Sequence, residues 1–257
     1  MKKALIAGAV LLALGIILCL GGFATMGFDI SKFFGVTYTT HTFTPEGDFS
    51  DISVTGGTCD IRFAKSEDGT CKIICMMDNR CVPTAEIKDG KLTIHADDNL
   101  KWWQRIGIYW DKNEVTVYLP ETEYSKLEAK TTTGDIFLNS GFTFADATLK
   151  TTTGDIQVSS LSCKYFRATV TTGDMEFRDV LTETMTLTAT TGDIEFSRCD
   201  GKTIDIRCTT GDVEGTLRTG KLFTAKATTG DVRVPSDSGS DTCYIKTTTG
   251  DIEIAVE

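Results

Sequence analysis

Apolar and polar residues alternate with a period of two through most of residues 49–257, and the alternation recurs in a frame marked by the tripeptide Thr-Gly-Asp. The tripeptide occurs seven times, with glycines at Gly134, Gly154, Gly173, Gly192, Gly211, Gly230 and Gly250, separated by 20, 19, 19, 19, 19 and 20 residues. Two residues after each glycine stand Ile136, Ile156, Met175, Ile194, Val213, Val232 and Ile252. Four after it stand Leu138, Val158, Phe177, Phe196, Gly215, Val234 and Ile254, and the positions between are mostly charged or polar, as at Gln157, Glu176, Glu195, Glu214, Arg233 and Glu253. This is strand alternation, with one face apolar.

The residues before the glycine repeat the pattern. Five before it come Ala129, Leu149, Ala168, Leu187, Ile206, Ala225 and Ile245, and seven before it Leu127, Ala147, Phe166, Met185, Ile204, Phe223 and Cys243. The position four before it is polar throughout: Lys130, Lys150, Thr169, Thr188, Arg207, Lys226 and Lys246. Each repeat therefore holds two strands joined at a Thr-Thr-Gly-Asp corner, where glycine supplies the positive φ of a tight turn. Nineteen residues are too few for a strand-helix-strand crossover, which takes roughly 30, so adjacent repeats are predicted to be successive coils of a β-helix. Seven coils at about 4.8 Å each make a rod segment of about 34 Å. One coil cannot bury its own apolar face, so stacking is obligatory.

Residues 49–128 read as strands of less regular spacing, with 51–63 forming a degenerate first coil and 71–75, 91–95 and 114–118 also alternating. The stretch 102–110 carries all three tryptophans; it reads as a cap over the open core, with an aromatic binding platform or a membrane-interface contact as the other reading. Residues 29–48 are a linker and first strand, and 129–257 hold the seven regular coils.

Residues 4–28 contain no charge, and a bilayer core of about 30 Å needs roughly 20 apolar residues, so one transmembrane helix over 1–28 is expected. A secretory signal is the rival reading; its apolar region usually runs about 7 to 15 residues, shorter than this one. Leu18 before Cys19 is too bulky for a lipoprotein signal. Lys2 and Lys3 favour a cytoplasmic amino terminus, which places the rest outside a single-pass cell-membrane anchor.

Charge narrows the partners. The formal net charge is −10, and with Lys2 and Lys3 set aside the exported part holds 24 basic against 36 acidic residues, or −12. Nucleic acid is not expected as a partner, because its binding draws on clustered Lys and Arg. His41 and His95 are the sole histidines, which argues against histidine metal clusters.

The corner aspartates Asp135, Asp155, Asp174, Asp193, Asp212, Asp231 and Asp251 are expected to line one edge. Unit charges about 4.8 Å apart repel by roughly 1 kcal/mol in water, so an offset is required. Turn amides donating to the carboxylates, with flanking cations Lys130, Lys150, Arg207, Lys226 and Lys246, would supply it. Calcium is the alternative, but a corner with one carboxylate per coil falls short of six to eight oxygen ligands. The threonines before the glycines invite an ice-binding comparison that fails at Val170, Ala189, Cys208 and Ala227; hydrogen-bonded threonine ladders between coils are expected instead.

Nine cysteines in an exported chain would ordinarily form disulfides. The predicted register sets Cys208 and Cys243 two coils apart, Cys163 and Cys199 likewise, and Cys71 and Cys75 on one face of one strand. Buried thiols are therefore expected, with a bond from Cys59 to Cys71, Cys75 or Cys81 left open. No cysteine pair has the short spacing of a zinc site. Coils without insertions offer no walled cleft, so no catalytic, cofactor or metal residues are assigned and no enzyme is expected.

The uncharged segment, the start at 49–54, the strand end at 117–120 and the seven Thr-Gly-Asp corners together resemble the bacterial putative-adhesin family of exported β-strand-repeat proteins, a domain of unknown function. The resemblance implies an all-β, right-handed β-helix outside the cytoplasm of a Gram-positive, clostridia-like cell, with no catalytic residues to carry over. The function expected is a membrane-anchored adhesive, interaction or scaffolding domain meeting cell wall, glycan or protein; the alternative is an envelope-stress or signalling accessory acting through a membrane partner. Because no cap is visible after the last repeat, end-to-end self-association is also expected.

Overall fold

The computed structural model of the chain describes residues 2–25, 37–97, 113–139, 141–236 and 238–257. The tryptophan stretch and residues 29–36 of the linker lie outside the described residues. The first element is α1 (Lys2–Thr25), a helix of 24 residues whose side chains are described in part. Among the described residues no helix is both long and apolar enough to cross a membrane.

The strands form two ladders around one core. In the first, β5 (Thr84–Lys88), β6 (Lys91–Ala96), β2 (Asp51–Gly56), β8 (Glu123–Thr133) and β10 (Thr143–Thr153) lie side by side in that order. Next come the carboxyl-terminal parts of β11 (Ile156–Thr172), β12 (Met175–Thr191) and β13 (Ile194–Thr210), then β17 (Thr242–Thr249) and β15 (Leu222–Thr229). The second ladder runs β1 (Tyr38–Phe43), β4 (Lys72–Asp78), β7 (Glu114–Leu119), β3 (Asp60–Lys65) and β9 (Ile136–Asn139). It continues through the amino-terminal parts of β11, β12 and β13 to β14 (Val213–Leu217), β18 (Ile252–Val256) and β16 (Val232–Arg233). Coil-to-coil pairing is parallel; β1, β4 and β5 pair antiparallel at the amino-terminal end.

The apolar columns face inward as the alternation requires. Leu127, Ala147, Phe166, Met185, Ile204 and Cys243 are each at most 2 % exposed. Each buried Leu, Ile, Met or Phe contributes about 1.5–3 kcal/mol against backbone ordering. The degenerate first coil is β2 and β3, where Cys59 takes the place of the corner glycine and Asp60 that of the aspartate.

Two features differ from expectation. A second corner closes the first four regular coils without a repeated glycine: Ser160, Asp179 and Arg198 adopt φ of 57°, 53° and 51°, and Gly141 of 65°. Such left-handed non-glycine residues cost about 1 kcal/mol or more each and are held by the stack on either side.

The second difference is the order of coils. Adjacent repeats are not always successive: β17 lies between β13 and β15, and β18 between β14 and β16. The last repeat is thus inserted beneath the one before it. At three inward columns the inserted repeat carries the bulkier residue, Ile245, Ile252 and Ile254 against Ala225, Val232 and Val234, while at the fourth Cys243 stands against Phe223. At the other end β2 and β3 sit between the β8–β9 and β6–β7 coils, which pins that end of the stack in the same way.

Candidate functional site

The corner file is the most regular chemical feature of the rod. Each aspartate accepts the backbone amide of the aspartate one coil on: Asp135 N donates to Asp60 Oδ1 at 2.9 Å, Asp155 N to Asp135 Oδ1 at 2.9 Å, and Asp174 N to Asp155 Oδ1 at 2.8 Å. Asp193 and Asp212 continue the file at 2.8 Å each. Asp251 N then donates to Asp212 at 2.7 Å and Asp231 N to Asp251 at 2.8 Å, following the inverted coil order. A hydrogen bond to a carboxylate contributes about 1.5–3 kcal/mol, more than the repulsion of roughly 1 kcal/mol between neighbours.

The amides, not the expected cations, offset the charge. Lys130 pairs with Glu128 and Arg207 with Asp205, along their own strands. Arg233 reaches Asp231 at 3.5 Å, at the end of the file.

Glycine is required at these corners twice over. At Gly154, Gly173 and Gly192 φ is 132°, 139° and 131°, and a Cβ would lie 2.0–2.2 Å from the carbonyl oxygen of the glycine one coil earlier. The two threonines before each glycine are exposed. Hydroxyls bond between coils one position further in, where Thr131 donates to Cys59 O at 2.9 Å, Thr151 to Gly134 O at 3.0 Å and Thr247 to Gly211 O at 3.3 Å.

The outer faces carry opposite charge. On the second ladder Glu176, Glu195, Glu214 and Glu253 stand in register, beside a shallow hollow over Gly215. On the first, Arg207, Lys246 and Lys226 are neighbours. At the second corner Asp179 accepts from Arg198 Nη2 at 2.5 Å and Arg218 Nη2 at 2.8 Å. Hydrogen bonds from the two guanidiniums, Arg198 first, lower the Asp179 carboxyl to about 2.

Lys221 is fully buried before β15 and donates to Asp200 Oδ1 at 2.5 Å, Thr219 Oγ1 at 2.7 Å and Asp241 Oδ2 at 3.4 Å. Asp200 lies on β13 and Asp241 just before β17, so one ammonium ties three neighbouring coils in the inverted order. The sequence reading missed this clasp; at the same repeat position Lys202 reaches Glu183 at 3.1 Å but stays exposed.

All eight described cysteines are buried thiols, and the bond left open at Cys59 is not formed. The inversion brings Cys208 and Cys243 into adjacent coils, not two apart, yet Cys208 lies opposite Thr247 and Cys243 opposite Ile204. Burial pushes Cys71, Cys75, Cys163 and Cys199 up to about 11 and Cys243 up to about 12. Among the described residues no three His, Cys, Asp or Glu side chains converge as a metal-binding set.

Parallel coils, uninterrupted corner files and one continuous core define a β-solenoid repeat protein. The chain belongs to the Toastrack DUF4097 family, whose pattern matches residues 49–257. This bears out the resemblance read from the sequence. A crystal structure titled a putative adhesin from Bacteroides fragilis is 14 % identical, with a TM-score of 0.52, covering 85 % of this chain and 97 % of that one. Another, a putative cell adhesion protein from Clostridium sporogenes, is 14 % identical with a TM-score of 0.37, covering 86 % of this chain and 100 % of that one. The first of these shows a shared fold. No curated protein matches the sequence.

Proposed function

We propose that the chain is a membrane-anchored, extracytoplasmic β-solenoid that serves as an adhesive or interaction domain of the cell envelope. The observation that carries this reading is the surface: the described coils present flat, periodic files of threonine, acid and base, suited to an extended or repetitive partner, instead of a walled cleft. The adhesin name of the Bacteroides fragilis structure that shares the fold agrees with it. Anchoring is supported by the sequence, which carries no charge between Lys3 and Asp29, a longer stretch than the roughly 20 apolar residues a bilayer core needs.

The test is protease treatment and membrane-impermeant biotinylation of intact cells expressing the full chain, followed by binding of those cells to cell-wall material, glycans and host-type matrix. Surface labelling together with chain-dependent adhesion is expected. A chain protected in intact cells, or adhesion unchanged by its deletion, would overturn the reading.

A further inference from the structure

Among the described residues Lys221 is the only lysine that is buried. Its side chain is 0 % exposed, between Asp200 at 19 % and Asp241 at 41 %. Lys202, at the same position one repeat earlier, meets Glu183 with both side chains largely in solvent. That is an ordinary surface pair. At Lys221 the same position has been drawn inside, where an ion pair carries a desolvation cost that a neutral amide does not.

The contacts around this pair are those of an acyl-transfer centre. Lys221 Nζ lies 2.5 Å from Asp200 Oδ1, an oxygen one bond from the carboxyl carbon Cγ. The same oxygen accepts the Gly201 amide at 2.8 Å and the Thr219 hydroxyl at 3.1 Å. Two donors aimed at one oxygen stabilise the negative charge it gains when its carbon becomes tetrahedral. The Thr219 hydroxyl also accepts from Nζ at 2.7 Å, which fixes the nitrogen. Asp241 Oδ2, 3.4 Å from Nζ, is a second carboxylate within reach of its protons. Groups held in this way react at effective concentrations on the order of 10⁵ M or more, which favours condensation over hydrolysis where solvent is excluded.

We propose that Lys221 and Asp200 join in an intramolecular isopeptide bond, formed by the folded chain itself. One proton passes from Nζ to Asp200 Oδ2, leaving an amine beside a carboxylic acid. The nitrogen bonds to Cγ, and Oδ1 holds the resulting negative charge against Gly201 and Thr219. Asp241 takes a second proton from the nitrogen and delivers it to Oδ2; the Cγ–Oδ2 bond breaks, water leaves, and Oδ1 re-forms the carbonyl. One ammonium and one carboxylate become one amide and one water, Asp241 ends as it began, and no oxidant or cofactor is consumed. The bond spans 21 residues of chain and runs from β13 to the segment before β15, so it straddles β17, the strand inserted between them. The inverted coil order is thereby fixed covalently.

Tryptic mapping of the full chain, denatured and reduced, tests the proposal. Trypsin is expected to leave the chain uncut after Lys221, and residues 199–202 and 219–226 are expected in one branched peptide, lighter by one water than the two together. Lys221→Arg keeps the charge but cannot form the amide, and it releases 199–202 alone. Asp241→Asn alters a partly exposed side chain, so the fold is retained, and lowers the yield of branched peptide several-fold. Separate linear peptides 199–202 and 219–221 from the parent chain would overturn the proposal. So would a water lost within 199–202 alone, which is closure of Asp200 onto the Gly201 amide as a succinimide. An undiminished yield in Asp241→Asn would strike Asp241 as the proton carrier.

Discussion

The amide of Asp251 donates to Oδ1 of Asp212, 2.7 Å away and 39 residues earlier in the chain, so the corner file passes over one whole repeat before returning to it through Asp231. A stack in simple chain order would place Asp231 on Asp212. The inversion holds the last strands between two neighbours, so both their edges are paired and the end of the stack is harder to fray.

Gly173→Ala tests the closeness of the corners. Its Cβ would lie 2.2 Å from Gly154 O at a φ of 139°, so the coil must shift and stability falls by more than about 3 kcal/mol in urea unfolding. Gly69→Ala, with no atom within 4 Å, meets backbone strain alone and costs about 1 kcal/mol.

At Asp174 the carboxylate matters as an acceptor. Asp174→Ala deprives the Asp193 amide of its partner and lowers stability by about 1 kcal/mol, while Asp174→Asn keeps the acceptor, relieves repulsion along the file and stays within about 0.5 kcal/mol of the parent. Calcium leaves the thermal midpoint of the parent unchanged; a rise of several degrees would show that the file binds the ion.

Burial keeps the described cysteines unreactive at pH 8, and it raises Cys71, Cys75, Cys163 and Cys199 to about 11 and Cys243 to about 12. A thiol reagent is expected to find the described cysteines silent in the native chain and all eight reactive in denaturant without reductant. Six or more sulfurs still protected in denaturant would mean that disulfides hold the rod.

The second corner has a pH signature. Because Asp179 has its carboxyl lowered to about 2 in the folded chain, its contribution is complete above the ordinary carboxylate value near 3.8 and is lost as pH falls toward 2. Asp179→Asn should flatten the stability profile in that window and lower stability at pH 7, where the charged carboxylate contributes in full. An unaltered acid limb would show that Arg198 and Arg218 do not hold the corner through this carboxylate.

Much of this was legible in the residues themselves. The columns through Ile136 and Leu149 gave the strand faces, and the corner spacing gave the coil, because a parallel stack repeats its chemistry at constant register. The second corner escaped because Ser160, Asp179 and Arg198 share a backbone conformation and no side-chain type. The inversion escaped because a 19–20-residue period fixes the coil but not which coil lies on which; the cues were the smaller residues at Ala225 and Val232. In the candidate site the amide donors were foreseen, while two of the expected flanking cations, Lys130 and Arg207, reach acids on their own strands instead.

Cross-linking along the corner settles the coil order most directly. Thr210 lies opposite Thr249, and Thr249 in turn opposite Thr229, with all three exposed. With Thr210→Cys and Thr249→Cys in one chain, the Cα atoms are about 4.8 Å apart and a disulfide is expected under mild oxidation; with Thr210→Cys and Thr229→Cys they are about 9.6 Å apart and none is expected. The opposite outcome, a bond between 210 and 229 with none between 210 and 249, would contradict the inverted stack.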